Sequence, residues 1–208
     1  MAALDIEAPA AAAAAEHERV EPFRVGPNAA LQLMEALRAE GGAALARQVF
    51  AEAGRADWIH APPRTMIPQE AAAALFQAVR RVAPSRADLI LAEAGRRTAD
   101  YLLAHRIPAP AQRALRLLPP RLAIRLLLIA VGKHAWTFAG SARFLAKAER
   151  GELGVTLEGN PLATPGCPWH EAVFTRLFQR CGAPDVRVVH AECEGRGHTR
   201  CRFVITPA

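Results

Sequence analysis

The sequence has no cysteine in its first 166 residues, and all four of its cysteines lie in the last 42. They are Cys167, Cys181, Cys193 and Cys201, and three histidines lie among them, His170, His190 and His198. Thiolates and imidazoles are side chains that hold zinc, and four of them in tetrahedral array close a structural site. Paired CxxC motifs are absent, so a zinc site here has to be assembled from more widely spaced residues. The same cysteines could instead be small buried core residues. A disulfide between Cys193 and Cys201 is a further alternative, although nothing indicates an oxidising compartment.

Catalytic and cofactor-binding motifs are also missing. No GxGxxG follows a strand, and there is no Walker phosphate loop, flavin signature, Fe–S spacing or Ser-His-Asp arrangement. We therefore predict no catalytic residue, and the sequence does not define an enzyme by itself. Residues 1–22 lack the basic start and long apolar block of a secretory signal. We expect these residues to form a flexible tail ahead of one domain over residues 23–208, in a cytoplasmic protein.

The last residues of the chain have the pattern of a β-hairpin. Residues 185–193 and 200–206 are short, alternating apolar runs, and two glycines between them allow a turn with positive φ. Pairing these strands brings Cys193 and Cys201 close together at the mouth of the hairpin.

A helix is predicted directly before this hairpin. Residues 169–180 have apolar side chains at helical spacing. Cys167 then lies at a helix N-terminus, where partial positive charge favours a thiolate. Cys181 follows the helix, and we predict that it packs in the core.

This order of one cysteine before a helix, a strand ending in cysteine, a glycine-rich turn and Cys-x-Phe resembles the 4-vinyl reductase domain family. Members of that family act in bacteriochlorophyll biosynthesis or are sensor domains of aromatic-responsive transcription activators. The length and the helical N-terminal part of this chain are similar to the pigment-biosynthesis members. The resemblance implies a zinc site made by Cys, an acidic residue, Cys and Cys. Its cysteines match Cys167, Cys193 and Cys201, and the acidic position falls on His190, which is itself a good zinc ligand.

Strand geometry raises one objection to His190 as the fourth ligand. His190 and Cys193 are three residues apart, so in a regular strand they face opposite sides of the sheet. A β-bulge near Ala191 would bring both side chains to one side. Without a bulge, three other residues could complete the site: Glu192, Glu194 and His198.

The rest of the chain reads as helices followed by short strands, which is typical of an α+β fold with helices on one face of an antiparallel sheet. We predict helices over residues 26–42, 43–53, 68–82 and 85–106, two short helices over 108–131, paired strands over 133–138 and 142–148, and a strand over 153–158. The resemblance implies that the sheet carries the zinc hairpin, that the fold is similar to the ligand-binding domain shared with TRAPP-like proteins, and that the protein is a homodimer.

Basic side chains are concentrated in the middle of the chain. Residues 96–150 contain eleven Arg or Lys against two acidic residues, a net charge of +9. Such a segment could contact an anionic ligand or an anionic membrane surface, or could be the solvated face of helices. Nucleic acid is the least expected partner, because no reader fold or interleaved aromatic residues accompany these charges.

An apolar helix over residues 121–131 begins inside this basic segment and is too short to span a bilayer. Arg121 and Arg125 lie one turn apart on it and could grip a carboxylate. Alternation over residues 133–138 predicts that His134, Trp136 and Phe138 share one strand face and line an apolar ligand cavity. Ordinary core packing explains Trp136 and Phe138 slightly better. His134 could supply an axial nitrogen to a Mg-tetrapyrrole.

The resemblance implies a bacteriochlorophyll biosynthesis protein that binds a tetrapyrrole intermediate, a Mg-porphyrin or chlorophyllide, as a carrier or accessory factor. One alternative is an 8-vinyl (4-vinyl) reductase of divinyl chlorophyllide that uses an external reductant. Another is a sensor of small hydrophobic ligands. We favour the carrier, because no reductant-binding motif is visible. Pigment-biosynthesis enzymes and the inner face of the membrane are further expected partners.

Overall fold

The computed structural model describes residues 23–148 and 152–207 of the chain, and the predicted tail, residues 1–22, lies outside this description. The helices are α1 (Asn28–Glu52), α2 (Gln69–Val82), α3 (Ala87–His105), α4 (Ala109–Arg116), α5 (Pro120–Lys133), α6 (Trp136–Ala139) and α7 (Pro168–Arg180). The strands are β1 (Arg24–Val25), β2 (Ile67–Pro68), β3 (Arg143–Ala148), β4 (Leu153–Glu158), β5 (Arg187–Glu192) and β6 (Cys201–Thr206). The predicted α+β fold is confirmed.

The strands form two antiparallel sheets. β1 pairs with β2, and the other four strands follow the order β3-β4-β6-β5. The hairpin of β5 and β6 therefore lies at one edge of the larger sheet, and β4 joins it to β3.

The N-terminal helices bury the apolar stripes that their sequences predict. α1 contains the predicted break between two helices, because Gly41 and Gly42 leave helical geometry and Gly42 takes a φ of 69°. On both sides of the break, apolar residues such as Leu33 and Phe50 are fully buried against α2 and α3. Most of the stability of these helices thus comes from tertiary burial.

α7 connects the helical part to the sheet. On one side Phe174 packs edge-to-face on Phe203 of β6, with ring centroids 5.2 Å apart. On the other side α7 runs against α3 at Gly95, where a Cβ would meet the carbonyl oxygen of Trp169 and lie 2.9 Å from the Cβ of Ala172. The absence of a side chain at Gly95 allows this close approach.

The strand predicted over residues 133–138 is wrong. α5 continues to Lys133, and the chain forms the short helix α6 after one turn. The aromatic residues that favour a strand are overruled by tertiary contacts: Phe138 packs against Phe174 and Phe144, and the carbonyl of Thr137 accepts a hydrogen bond from the amide of Gly26 at 2.6 Å. β3 pairs with β4 instead.

The length and hydropathy of the helices bear on membrane crossing. Within residues 23–148 and 152–207, no helix combines the length and the apolar character that crossing a bilayer demands.

Candidate metal centre

Cys167 reaches the centre from a loop that precedes α7. Gly166 has a φ of 80° and Cys167 a φ of 41°, and among the residues described Cys167 is the only non-glycine with positive φ. This conformation costs an L side chain roughly 1–2 kcal/mol. The amide of Cys167 donates to the carbonyl of Thr164 at 2.8 Å, and Pro168 begins the helix. The fold thus holds Cys167 in a costly conformation that brings its thiol to the hairpin.

The β5–β6 hairpin supplies two further thiols. Cys193 precedes a 3-10 turn, and its carbonyl accepts the amides of Arg196 and His198 at 3.0 and 3.1 Å. Gly197, with a φ of 89°, returns the chain toward β6, whose first residue is Cys201. Both cysteines are buried. The predicted hairpin, with Cys193 and Cys201 at its mouth, is confirmed.

The bulge that the sequence required is also present. His190 pairs with Phe203 and Glu192 with Arg202, so Ala191 is an extra residue in β5. The bulge turns His190 to the same side as Cys193. The His190 ring stacks on Phe203 with centroids 4.3 Å apart and planes at 8°. Its position is therefore fixed by both backbone and side-chain contacts.

The three alternative ligands are engaged elsewhere. Glu192 receives hydrogen bonds from Arg200 and Arg202, which lower the pKa of its carboxyl to about 2. The carboxylate of Glu194 accepts two backbone amides at 2.8 and 2.7 Å. Nδ1 of His198 lies 3.1 Å from the carbonyl of Cys193. His190 remains the residue that faces the thiols.

The four predicted side chains meet in one place. The ligand atoms of Cys167, His190, Cys193 and Cys201 all lie within 4.8 Å of one another. The Sγ of Cys167 is 3.6 Å from that of Cys201 and 3.9 Å from that of Cys193. A tetrahedral zinc ion with Zn–S bonds of about 2.3 Å separates its sulfur ligands by about 3.8 Å. The sulfur spacing therefore fits zinc.

The imidazole is oriented as a metal ligand requires. Nδ1 of His190 is 2.8 Å from the carbonyl oxygen of Gly166, and Nε2 is buried with no hydrogen-bond partner in the described part of the chain. A neutral ring that donates Nδ1–H to a carbonyl leaves the Nε2 lone pair for the metal. A bound cation would satisfy this orphaned nitrogen.

The thiols lie in surroundings that favour a shared negative charge. The pKa of Cys201 is lowered to about 3, first by a hydrogen bond from the Cys167 thiol and then by His190, the amide of Glu194 and Asn160. The same contact and burial raise the pKa of Cys167. A divalent metal would replace the shared proton and allow all three thiols to ionise.

Asn160 and Thr164 complete the surroundings of the centre, and our prediction missed both. The buried Asn160 amide nitrogen is 3.6 Å from Cys201 Sγ, and its oxygen accepts the Leu162 amide at 3.1 Å. The carbonyl of Thr164 accepts the Cys193 thiol at 3.3 Å. In the sequence, Asn160 precedes a proline and looks like a strand terminator, so nothing there marks it as a partner of sulfur.

Two other residues from the cysteine-rich region lie apart from the four ligands. Cys181 packs in the hydrophobic core, as predicted, and burial raises its pKa. His170 on α7 is buried beside Trp169 and Phe174, and neither ring nitrogen has a hydrogen-bond partner among the described residues. Burial lowers the pKa of His170 to about 4. His170 is thus a neutral core residue.

The residues predicted to bind an organic ligand lie along α5 and α6. Arg121 and Arg125 are exposed on α5, and His134 and Trp136 are exposed at its far end. Phe138 turns inward to the core. The strand face that was to unite the last three residues does not exist. Their roles in ligand binding stay predictions, on an open helical surface.

The combination of α+β fold, hairpin cysteines and helix-terminal cysteine defines the class of protein. Residues 157–207 match the 4-vinyl reductase domain family, as the sequence pattern predicted. The chain is 41% identical over 190 residues to the bacteriochlorophyll synthase 23 kDa chain of Cereibacter sphaeroides, covering 88% of this chain and 91% of that one. It is 39% identical to the protein of the same name from Rhodobacter capsulatus, covering 88% and 87%. The chain belongs to the family of these 23 kDa chains.

Solved structures resemble the fold at low sequence identity. An H-NOX protein from S. oneidensis in the Fe(II)NO ligation state superposes with a TM-score of 0.56 at 10% identity, covering 88% of this chain and 99% of that one. An H-NOX protein variant from K. algicida gives a TM-score of 0.58 at 11% identity, covering 88% and 97%. The helical part and the sheet therefore form an H-NOX-like fold.

Proposed function

We propose that this protein binds a tetrapyrrole intermediate of bacteriochlorophyll biosynthesis, a Mg-porphyrin or chlorophyllide, and acts as a carrier or accessory factor. The observation that carries the proposal is the similarity to two bacteriochlorophyll synthase 23 kDa chains over almost the whole length, through the helices as well as the 4-vinyl reductase domain. The H-NOX-like fold is consistent with this ligand, because one of the similar structures concerns heme distortion in that family.

The Cys/His cluster would serve as a structural zinc centre in this function. Four protein ligands close a tetrahedral site, whereas catalytic zinc keeps one position open for water or substrate. The three cysteines are almost completely buried, which leaves no path for a substrate. The ion would fix the loop before α7 to the β5–β6 hairpin.

The pigment is proposed to bind along α5 and α6. Arg121 and Arg125 follow each other by one turn and could hold a propionate or carboxylate. Leu126 and Ile129 on the same helix are exposed and could cover part of an apolar macrocycle. His134, which is exposed beyond α5, could reach a central magnesium.

One experiment separates the carrier from a reductase or a sensor. Zinc-loaded protein is incubated with divinyl chlorophyllide, with and without NADPH, and the pigment is analysed by chromatography and by its Soret band. We expect a spectral shift and unchanged pigment in both samples. Conversion to the monovinyl product with NADPH would make the protein a reductase. Binding of simple aromatics in preference to porphyrins, measured by calorimetry, would make it a sensor.

The remaining parts of the proposal concern assembly and location. We propose a homodimer that works in the cytoplasm together with pigment-biosynthesis enzymes. Light scattering of the purified protein measures the oligomeric state, and a mass of about 22 kDa in solution would rule out the dimer.

A further inference from the structure

α5 has aliphatic side chains on both of its faces. The inward face is buried through Ile124, Leu127 and other residues. Leu122, Leu126 and Ile129 follow at four- and three-residue spacing, so they share the opposite face, and they are 41%, 44% and 56% exposed. A helix that is apolar all round is normally covered on all sides. The outward face of α5 therefore lacks a covering partner in the isolated chain.

The exposed apolar surface continues beyond both ends of α5. Leu117, between α4 and α5, is 86% exposed, and Trp136 in α6 is 56% exposed. We call the five side chains together the docking face: Leu117, Leu122, Leu126, Ile129 and Trp136. α5 has 14 residues and is about 21 Å long, so the docking face is an elongated strip.

Positive charge surrounds the docking face. Residues 101–148 contain no Asp or Glu, whereas they contain eight Arg or Lys. Lys133 lies one turn beyond Ile129, and Arg125 lies beside Leu126. Within the described part of the chain, neither of these two cations, nor Arg113 on α4, forms a salt bridge. Their charges are available to an external anion.

We propose that the docking face binds the surface of an anionic lipid membrane. Leucine and isoleucine side chains would enter the boundary between headgroups and acyl chains, as in interfacial amphipathic helices. Tryptophan favours the same boundary because its ring is apolar and its N–H is polar. Arginine and lysine would meet the lipid phosphates. A second copy of the chain fits less well, because it would bring an equally positive surface against this one.

The first test measures binding to vesicles without any pigment, so it is independent of the proposed tetrapyrrole function. Purified protein is sedimented with vesicles of phosphatidylcholine alone or with about one third phosphatidylglycerol. We expect binding to the anionic vesicles, weak binding to the neutral ones, and loss of most binding at high salt. No binding to anionic vesicles, or equal binding to both kinds, would overturn the proposal.

Two sets of variants locate the contact. Replacing Arg113, Arg125 and Lys133 by Gln should lower the partition coefficient by about two orders of magnitude, since each cation near an anionic surface contributes about fivefold. The matched control replaces three exposed arginines elsewhere and has the same net charge: Arg47→Gln, Arg64→Gln and Arg187→Gln. Equal losses in the two variants would show a non-specific charge effect and would overturn the assigned face.

The apolar contact is tested separately. The emission of Trp136 should shift to the blue on addition of anionic vesicles, and Trp136→Phe should remove that shift. Leu126→Gln with Ile129→Gln should weaken binding at least tenfold, with circular dichroism unchanged because both side chains are exposed. Leu89→Gln, an exposed leucine on α3, is the control. An unchanged affinity of the double variant would show that the docking face does not enter the membrane.

Discussion

Replacing Asn160 by alanine tests the structure of the metal centre at a residue that is not a metal ligand. The side-chain nitrogen of Asn160 lies 3.6 Å from the Sγ of Cys201 and 4.0 Å from that of Cys167. Its oxygen accepts the amide of Leu162 at 3.1 Å. Asn160→Ala therefore removes a hydrogen bond to the most acidic thiol of the cluster and leaves one buried amide without an acceptor.

Both losses have a predictable size. Removing a group that hydrogen bonds to a metal ligand typically lowers metal affinity 10- to 100-fold, so we expect zinc affinity to fall by about that factor. An unsatisfied buried amide costs roughly 1–3 kcal/mol, and the Leu162 amide has no solvent to replace its acceptor because Leu162 is buried. The free energy of unfolding in saturating zinc should fall by about that amount.

Zinc affinity is measured by competition with a chromophoric chelator, and stability by urea unfolding in excess zinc. Asn28→Ala is the control, because the side-chain oxygen of Asn28 is buried without a partner at the start of α1, far from the thiols in sequence. Zinc affinity of Asn160→Ala within twofold of wild type would refute the role of Asn160. An equal loss in Asn28→Ala would refute it as well.

Three further predictions concern the centre and the core. Purified protein should contain about one zinc per chain, and Cys201→Ser should lose zinc and unfold more easily whereas Cys181→Ser should keep it; elemental analysis decides, and metal-free stable wild type would contradict the site. Gly95→Ala should destabilise by about 1–3 kcal/mol in thermal unfolding, because α3 touches α7 there, with Gly132→Ala near neutral. Because the folded-state pKa of His170 lies below its unfolded value, stability should fall between pH 6.5 and 4, and His170→Phe should reduce this loss; an identical pH profile would contradict it.

Much of the metal centre could be predicted from the sequence. Cysteines 167, 193 and 201 stand at positions where local patterns place a helix start and a hairpin mouth, and these local structures determine where the thiols point. Even the bulge at Ala191 follows from the period of a strand, because His190 and Cys193 otherwise face opposite sides. The remaining members of the site come from loop contacts over long sequence distances. Asn160 contacts Cys201 across 41 residues, and no local pattern records that pairing.

The α5–α6 region shows why the rest could not be predicted. Trp136, Thr137 and Phe138 have side chains that favour strands, and the sequence alone suggests one. The structure has a short helix there because Phe138 packs against two rings and the amide of Gly26 binds the Thr137 carbonyl. Whether the apolar residues of α5 face a cavity or solvent depends equally on distant elements. The sequence predicts an apolar helix but not which of its faces stays open.

Pigment binding is tested most directly by a Soret-band titration of zinc-loaded protein with a Mg-porphyrin or chlorophyllide, as free acid and as methyl ester. We predict a saturable shift of the band for wild type. Arg121→Gln with Arg125→Gln should weaken binding of the acid about tenfold or more and the ester much less, since a charged pair to a carboxylate is lost only in the acid. Arg47→Gln with Arg64→Gln should bind both as wild type does. A folded, zinc-loaded protein that leaves the Soret band of every such pigment unchanged would contradict the proposed function.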